Sequence, residues 1–493
     1  MFAGRNPGGG RRPTMRLVLE DALLYQDGRL VRGHLVIEGG RIAAVEREGD
    51  PPAPGVGHGS APSGEPDGGN RSAPGDGAMN AADDGGGPAL PPAERRSLAG
   101  RIVLPGLVNA HTHTPMSLLR GLGEGLPLKR WLEEAMWPNE AAFTDEDVYW
   151  GTLLAQLEMI ESGTTAFAEM YDRIDVIAQA VGESGLRAVL ARGMIGLGDE
   201  ATRRAKLAEA IDVARRWHGA YGGRVTTMIA PHSAYTCPEP FLREVAEAAR
   251  DLGRPIHTHL AETEAEEAEV RARTGRSSAR VMLEAGLFDG PALVAHAVYL
   301  SDDELRLLAE RDVRIAHNPV SNLKLGSGIA PLARWLELGL VVGLGTDGPA
   351  SNNNLDLFDE MRLASLLAKG REKDAAAVPP AAALELATAG GAKALFLEDV
   401  GRLAPGMRAD LIVIDPSSVR YVPAHDLLSH LVYNGRGTDV ESVMVDGRWL
   451  MWRRTVLTLD AERIRYEAER RSRRFRAGGA AGGPAKGPAG GAA

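Results

Sequence analysis

The run Arg101-Ile-Val-Leu-Pro-Gly-Leu-Val-Asn-Ala110, followed directly by His111-Thr-His113, is typical of a buried strand that ends in two histidines. Residues i and i+2 of a strand point to the same face, so both imidazoles project together from its end. Two neutral imidazoles in this arrangement form a chelating pair for a divalent metal. Further candidate ligands end three other strand-like runs, namely His259, His296 and Asp347.

The middle of the chain, residues 103–398, alternates apolar strands with amphipathic helical patterns. Eight strand–helix units of this length predict an α/β fold, a (β/α)8 TIM-type barrel with its active site at the C-terminal ends of the strands. The candidate ligands occupy those ends. The predicted strands are 103–110, 164–170, 186–194, 224–231, 254–260, 291–298, 312–318 and 341–347.

Short alternating strands with hairpin signals flank the barrel on both sides. These patterns predict one small β-sandwich domain built from both termini, with residues 15–102 and 399–460. Low-complexity sequence rich in Gly and Pro predicts three disordered segments, because it offers too little apolar surface to offset its ordering entropy. They are an N-terminal extension 1–14, an insertion 49–95 and a tail 477–493.

Composition narrows the class of protein. The chain has 493 residues with a net charge of −10, which disfavours a nucleic-acid partner. Cys237 is the single cysteine, which excludes an intrachain disulfide and a cysteine-rich zinc site. The sequence has neither a run apolar enough for a membrane span nor the apolar core of a secretion signal. We expect a cytoplasmic enzyme with no membrane partner.

Four motifs together resemble one known family. The combination resembles the amidohydrolase superfamily, and more narrowly its 5-methylthioadenosine/S-adenosylhomocysteine deaminase branch, over almost the whole chain outside the three low-complexity segments. Triazine hydrolases and guanine deaminases share much of it, so it is less specific for the substrate. The motifs are Pro105-Gly-Leu-Val-Asn-Ala-His-Thr-His113, His257-Thr-His-Leu-Ala-Glu-Thr263, Ala316-His-Asn-Pro-Val-Ser-Asn-Leu-Lys-Leu325 and Gly345-Thr-Asp-Gly348.

The resemblance implies one metal per subunit, Zn²⁺, although Fe²⁺ accepts the same donors. The family motif puts the strand-five ligand three residues before an acid, which selects His259 over His257 and leaves His257 as a packing residue. The fourth strand, Val225-Thr-Thr-Met-Ile-Ala230, lacks the lysine that bridges two metals in other members. The implied ligands are His111, His113, His259 and Asp347.

The resemblance also implies the catalytic residues. It implies that a metal-activated hydroxide would attack the amidine carbon of a purine while Glu262 protonates the adjacent ring nitrogen. Asp347 and His296 would then handle the second proton and the tetrahedral intermediate, and ammonia would leave.

Substrate contacts follow from the same resemblance. Glu140 matches the acid that binds the ribose hydroxyls, and the remaining matches, beside Glu262, are Arg192, His232 and Ser351. The residue at the amino-acid end of S-adenosylhomocysteine has three candidates, Arg203, Arg204 and Lys206. A structural role and a substrate role are equally favoured for His317 and Asn318.

These inferences predict a metal-dependent aminohydrolase. It would convert S-adenosylhomocysteine, 5′-methylthioadenosine or both to the inosine analogue plus ammonia. The alternative is a guanine deaminase or an s-triazine amino- or chlorohydrolase on the same scaffold. Glu140 with Arg192 discriminates between them, because a flat base without ribose needs neither. The sequence leaves the oligomeric state open, including a homo-oligomer.

Overall fold

The computed structural model describes residues 16–48 and 94–475. The predicted segments 1–14 and 477–493, and positions 49–93 of the predicted insertion, lie outside the described residues. The last two positions of that insertion, Glu94 and Arg95, belong instead to a short strand, where they pair in parallel with Leu17 and Val18. The N-terminal strands are β1 (Arg16–Gln26), β2 (Arg29–Glu38), β3 (Arg41–Arg47), β4 (Glu94–Ser97) and β5 (Ile102–Pro105).

Eight parallel strands form the second sheet, and each pairs with its neighbour in chain order. Its first and last strands are joined at their C-terminal ends, where the backbone N–H of Asp347 donates to the carbonyl of His111 at 2.9 Å. This arrangement confirms the predicted barrel. Its strands are β6 (Leu107–Thr112), β7 (Thr164–Tyr171), β8 (Arg187–Met194), β9 (Val225–Pro231), β10 (Ile256–Leu260), β11 (Ala292–His296), β12 (Val313–His317) and β13 (Val342–Leu344).

The remaining strands, β14 (Leu411–Ile414), β15 (Val440–Val445), β16 (Arg448–Trp452) and β17 (Thr455–Val456), complete the first sheet. Its nine strands run β17-β16-β15-β14-β5-β1-β2-β3, with β4 beside β1. Side chains from both termini, such as Leu24 and Leu411, share one hydrophobic cluster. The predicted sandwich from both termini is therefore a single mostly antiparallel sheet around one core.

The predicted strand 103–110 is two strands in two different sheets. Ile102–Pro105 pairs with β14 and β1, whereas Leu107–Thr112 opens the barrel. Gly106 lies at the crossing, where a Cβ atom would approach the Thr165 hydroxyl to 2.0 Å. Only glycine therefore allows the chain to pass from one sheet to the other at this point.

Helices surround the barrel, and several begin at residues with strong capping preferences. Thr144 and Ser301 form capping boxes with Asp147 and Glu304. The α-helices of the described residues are Leu128–Arg130, Trp137–Glu140, Asp145–Ser162, Ile174–Ser184, Glu200–Trp217, Ala220–Gly223, Glu239–Leu252, Glu264–Thr274, Ser278–Glu284, Asp302–Ala309, Pro319–Lys324, Leu332–Glu337, Pro349–Asn352, Leu357–Glu372, Pro380–Ala387, Ala389–Ala394, Leu427–Tyr433 and Ala461–Ser472. The 3₁₀-helices of the described residues are Thr114–Leu119, Val419–Tyr421 and Gly437–Asp439, and Trp131–Met136 is a π-helix.

A buried ion-pair network joins the barrel to the terminal sheet. Arg187, at the start of β8, is 2% exposed and binds Asp410 and Asp446, each at 2.8 Å. Asp410 immediately precedes β14, and Asp446 immediately follows β15. The two sheets are thus held together at the end of the barrel opposite the candidate ligands.

Within residues 16–48 and 94–475, no helix has both the length and the apolar character needed to cross a bilayer.

Candidate metal centre and active site

The four predicted ligands meet at the C-terminal end of the barrel. The Nε2 atom of His113 lies 3.3 Å from Oδ1 of Asp347 and 3.4 Å from Nε2 of His259. The Nε2 atom of His111 lies 3.5 Å from the same oxygen of Asp347. Donor atoms of His111, His113 and His259 lie within 4.8 Å of one another. A register shift in β6 between Asn109 and Thr112 adjoins this cluster, as bulges often do at active sites.

Each histidine is oriented by a contact at its other ring nitrogen. Nδ1 of His113 donates to the carbonyl of Met170 at 2.5 Å, and Nδ1 of His259 donates to the carbonyl of His232 at 2.9 Å. Nδ1 of His111 lies 2.9 Å from Nε2 of His257. All three rings therefore turn Nε2 toward the centre, which is the usual arrangement of histidine ligands with outer hydrogen-bond partners.

Asp347 is held by two hydroxyl groups on the side away from the histidines. Its Oδ2 atom accepts hydrogen bonds from Ser321 at 2.6 Å and Ser351 at 2.8 Å. Burial opposes the charged carboxylate, but the imidazoles of His111 and His113 that face Oδ1 outweigh burial and hold the pKa of Asp347 well below its usual range. Oδ1 is thus a charged oxygen facing the three rings.

The donor set fits a divalent cation. Nε2 of His111 is buried and has no hydrogen-bond partner among the described residues. Burial lowers the pKa of His111 to about 4, so its ring is neutral. Burial also opposes the charged form of His113, yet the hydrogen bond to Asp347 raises its pKa to about 9. The centre therefore favours positive charge beside Asp347, and its nitrogen and oxygen donors suit zinc or iron.

Glu262 and His296 lie beside this centre. Oε2 of Glu262 is 3.8 Å from Nε2 of His296, and its Oε1 accepts a hydrogen bond from Ser327 at 3.3 Å. Nδ1 of His296 donates to the amide oxygen of Asn322 at 2.8 Å, which leaves Nε2 facing inward. Burial raises the pKa of Glu262, so this carboxyl binds a proton more readily than an exposed glutamate.

His296 and Asp347 both have positive backbone φ angles, 75° and 59°. Non-glycine residues rarely adopt this conformation, and where they do it is often at functional sites. The backbone at both strand ends turns the side chains toward the centre.

One cavity of about 340 Å³ connects the centre to the predicted substrate contacts. Glu140, Arg192 and His232 line it together with Glu262 and His296. Oε1 of Glu140 accepts a hydrogen bond from the Tyr171 hydroxyl at 2.6 Å. The volume falls in the range of small-molecule sites.

Of the three cations that the sequence offers for contact with the amino-acid end of S-adenosylhomocysteine, one lines the cavity and two do not. Lys206 lines the cavity, and its Nζ atom donates to the carbonyl of Ile195 at 2.7 Å. Arg203 donates to the carbonyl of Gly198 at 2.6 Å in an exposed position, and Arg204 pairs with Glu200 on the helix surface. Neither arginine lines the cavity.

Three residues named from the sequence do not line the cavity. Ser351 does not line the cavity; it is 1% exposed, and its hydroxyl is turned to Asp347 because the short helix Pro349–Asn352 lies behind that carboxylate. His317 packs edge-on against Trp335 of a surrounding helix, with ring centroids 5.4 Å apart. Asn318 approaches Nδ1 of His296 at 3.5 Å through its amide nitrogen.

Several functional contacts were missed by sequence reasoning. The quoted run Ala316–Leu325 contains Ser321 and Asn322, but nothing in the sequence says which side chain meets Asp347 or His296. Glu266, four residues after Glu262 and in the helix Glu264–Thr274, also lines the cavity and accepts the backbone N–H of Glu262 at 3.0 Å. The Glu262-x-x-x-Glu266 spacing is a signal that could have identified it.

Comparison with known proteins agrees with this geometry. The amidohydrolase family model matches residues 102–450. A 5-methylthioadenosine/S-adenosylhomocysteine deaminase from Dictyoglomus thermophilum is 49% identical over 373 residues, 76% of this chain and 87% of the relative. A second deaminase of the same name, from Pelotomaculum thermopropionicum, is 49% identical over 375 residues, 76% of this chain and 86% of the relative.

A solved adenosine deaminase from Xanthomonas campestris with bound zinc is similar to the whole structure. It has a TM-score of 0.81 and 31% identity over 94% of this chain and 98% of that chain. The chain belongs to the amidohydrolase family.

Proposed function

We propose that the protein is a metal-dependent aminohydrolase that deaminates adenosine-type thionucleosides. Its substrates are S-adenosylhomocysteine, 5′-methylthioadenosine or both, and its products are the inosine analogue and ammonia. The observation that carries the proposal is that residues of the His/Asp centre and Glu262 line the same cavity as Glu140 and Arg192. The names of relatives 49% identical to this chain support the choice of substrate.

One Zn²⁺ per chain is the metal of this proposal. His111, His113, His259 and Asp347 would hold it, and its chemistry is to make water nucleophilic at neutral pH. The zinc in the Xanthomonas campestris deaminase supports this identity. Ser321 and Ser351 keep Oδ2 of Asp347 occupied, so the carboxylate offers a single oxygen to the metal.

Glu262 moves the proton that deamination requires. Water adds to the purine carbon that carries the amino group, and one of its protons goes to the adjacent ring nitrogen. The other proton passes from the new hydroxyl, by way of Asp347, to the amino group, which leaves as ammonia. Glu262 takes the proton from the water and delivers it to the ring nitrogen, because it lines the cavity next to the centre and burial raises its pKa. His296, 3.8 Å away, orients the attacking oxygen through Nε2.

Glu140 binds the ribose. Its Oε1 atom is engaged by Tyr171, so Oε2 is the acceptor for a ribose hydroxyl. Arg192 lines the same region and is fixed by Glu209 at 3.0 Å and Asp172 at 3.2 Å. A substrate without ribose would leave Oε2 of the half-buried Glu140 carboxylate without a donor from the substrate, which is costly.

Lys206 selects between the two thionucleosides. S-adenosylhomocysteine carries a carboxylate on its tail and 5′-methylthioadenosine does not. Lys206 is the cation, among the three candidates named from the sequence, that lines the cavity.

Ammonia release from adenosine, 5′-methylthioadenosine, S-adenosylhomocysteine, guanine and melamine tests the proposal. We expect release from the thionucleosides with the highest kcat/KM, and none from melamine. Lys206→Met should depress the reaction of S-adenosylhomocysteine selectively, whereas Arg204→Met is the matched control that should leave both reactions unchanged. Turnover of guanine or melamine in preference to both thionucleosides would overturn the proposed substrate class.

A further inference from the structure

His257 lies directly behind the candidate metal centre. It shares β10 with His259, two residues away, so both side chains point into the barrel. His257 is fully buried and does not line the cavity. Its Nε2 atom lies 2.9 Å from Nδ1 of His111, so its side chain meets a ligand and not the substrate space.

A contact between two imidazole nitrogens holds a single proton, and the position of that proton decides whether His111 can bind a metal. If His111 donates from Nδ1, its Nε2 carries a lone pair toward the centre. If His257 donates, the neutral ring of His111 carries its proton on Nε2, which then cannot be a ligand. Only the arrangement in which His257 accepts is compatible with a metal at His111.

The other two histidines do not have this ambiguity. His113 and His259 meet the backbone carbonyls of Met170 and His232, which can only accept a hydrogen bond. Their proton is therefore fixed on Nδ1. His111 alone among the three depends on a side chain to fix its tautomer, and that side chain can be changed by mutation.

We propose that His257 is a positioning residue that accepts the Nδ1–H of His111 and so holds His111 in its metal-binding tautomer. In this state the proton of His257 lies on its own Nδ1, a buried atom without a hydrogen-bond partner among the described residues. The inference rests on the proposed metal site. Outer partners of this kind typically change metal affinity by about 10–100-fold when they are replaced.

Two amide substitutions separate positioning from packing. His257→Gln places an amide oxygen near the position of Nε2, where it can still accept from His111. His257→Asn carries the same amide one methylene shorter, near the position of Nδ1, and cannot reach. His317→Asn is the matched control, because His317 is also a buried histidine of a barrel strand whose Nδ1 has no hydrogen-bond partner in the described part of the chain, but it packs against Trp335.

The measurement is the Zn²⁺ dissociation constant of each apo-protein by chelator competition, with the apo melting temperature alongside. We expect His257→Gln and His317→Asn to stay within a few-fold of wild type, and His257→Asn to bind zinc about 10–100-fold more weakly. Wild-type affinity in His257→Asn would overturn the inference, as would equal weakening in both His257 variants that follows their melting temperatures.

A measurement on the unmodified protein covers the case in which the variants do not fold. Histidine-selective ¹⁵N NMR of the zinc-loaded wild type reports the tautomer of each ring. We expect His257 to be protonated at Nδ1 and bare at Nε2; a proton on its Nε2 would overturn the inference. A wild-type protein that binds no zinc would instead overturn the metal centre itself, and the positioning role with it.

Discussion

Replacing Glu140 by glutamine tests whether the cavity is built for a ribonucleoside. The Tyr171 hydroxyl already donates to Oε1 of Glu140 at 2.6 Å, so one carboxylate oxygen remains for a ribose hydroxyl. A glutamine has one acceptor oxygen, which stays with Tyr171, and its NH₂ group cannot accept from the hydroxyl. Glu140→Gln therefore removes one hydrogen bond to a charged acceptor while keeping the volume of the side chain.

The size of the effect follows from that single bond. A hydrogen bond to a charged group contributes about 1.5–3 kcal/mol, which corresponds to a loss of roughly 10–150-fold in kcat/KM for 5′-methylthioadenosine. Tyr171→Phe is the matched control, because it removes the hydroxyl and leaves both carboxylate oxygens. The hydrogen bond that this control loses is made within the protein and not to the ribose, so Tyr171→Phe should lose less kcat/KM than Glu140→Gln.

The assay compares kcat/KM for 5′-methylthioadenosine with the inhibition constant of free adenine, which has the same base and no ribose. We expect Glu140→Gln to weaken the nucleoside reaction and leave adenine binding unchanged. An equal loss for the nucleoside and for adenine would refute the ribose assignment and favour a substrate that is a free base.

Three further substitutions have definite outcomes. Glu262→Gln should keep the fold and the zinc content but lose kcat by about 100-fold or more, since it removes only the proton carrier; near-normal turnover would make Glu262 structural. Glu266→Gln should flatten the pH dependence of apo-protein unfolding. Burial raises the folded pKa of Glu266 to about 8, above about 4.3 when unfolded, so its stabilisation is complete below the unfolded value and is lost as pH rises through 8. Melting curves between pH 5 and 8 measure this, and parallel curves for variant and wild type would contradict it. Arg187→Leu should lower the free energy of unfolding by about 3–5 kcal/mol, because Asp410 is left buried without its partner. In the double variant Arg187→Leu/Asp410→Asn, denaturant melts should show that part of the lost free energy of unfolding is regained. A double variant no more stable than Arg187→Leu alone would contradict the pairing.

Periodicity and motif position predicted most of the fold. Seven of the eight predicted barrel strands correspond to single observed strands, because each is an apolar run bounded by polar or turn residues. The first predicted strand, 103–110, covers parts of two observed strands, because the apolar run around Gly106 continues without a break from one sheet into the other. The clash that a side chain would make with Thr165 is a tertiary contact, and the sequence carries no local sign of it.

The candidate ligands were predictable for a related reason. His111, His113, His259 and Asp347 end strands, and the ends of parallel barrel strands necessarily converge. The orientation of an individual side chain was not predictable in the same way. Ser351 follows Asp347 by one helical turn, and this spacing is equally consistent with a hydroxyl in the cavity or against the carboxylate; the structure has it against the carboxylate.

Titration of the metal-free protein with Zn²⁺, followed by ammonia release from 5′-methylthioadenosine and S-adenosylhomocysteine, tests the proposed chemistry most directly. Activity should rise linearly and stop at one zinc per chain. Asp347→Asn should need a higher zinc concentration for any activity, because the ligand loses its charge. Saturation at two zinc ions per chain, or full activity in exhaustively chelated protein, would contradict a single-metal deaminase.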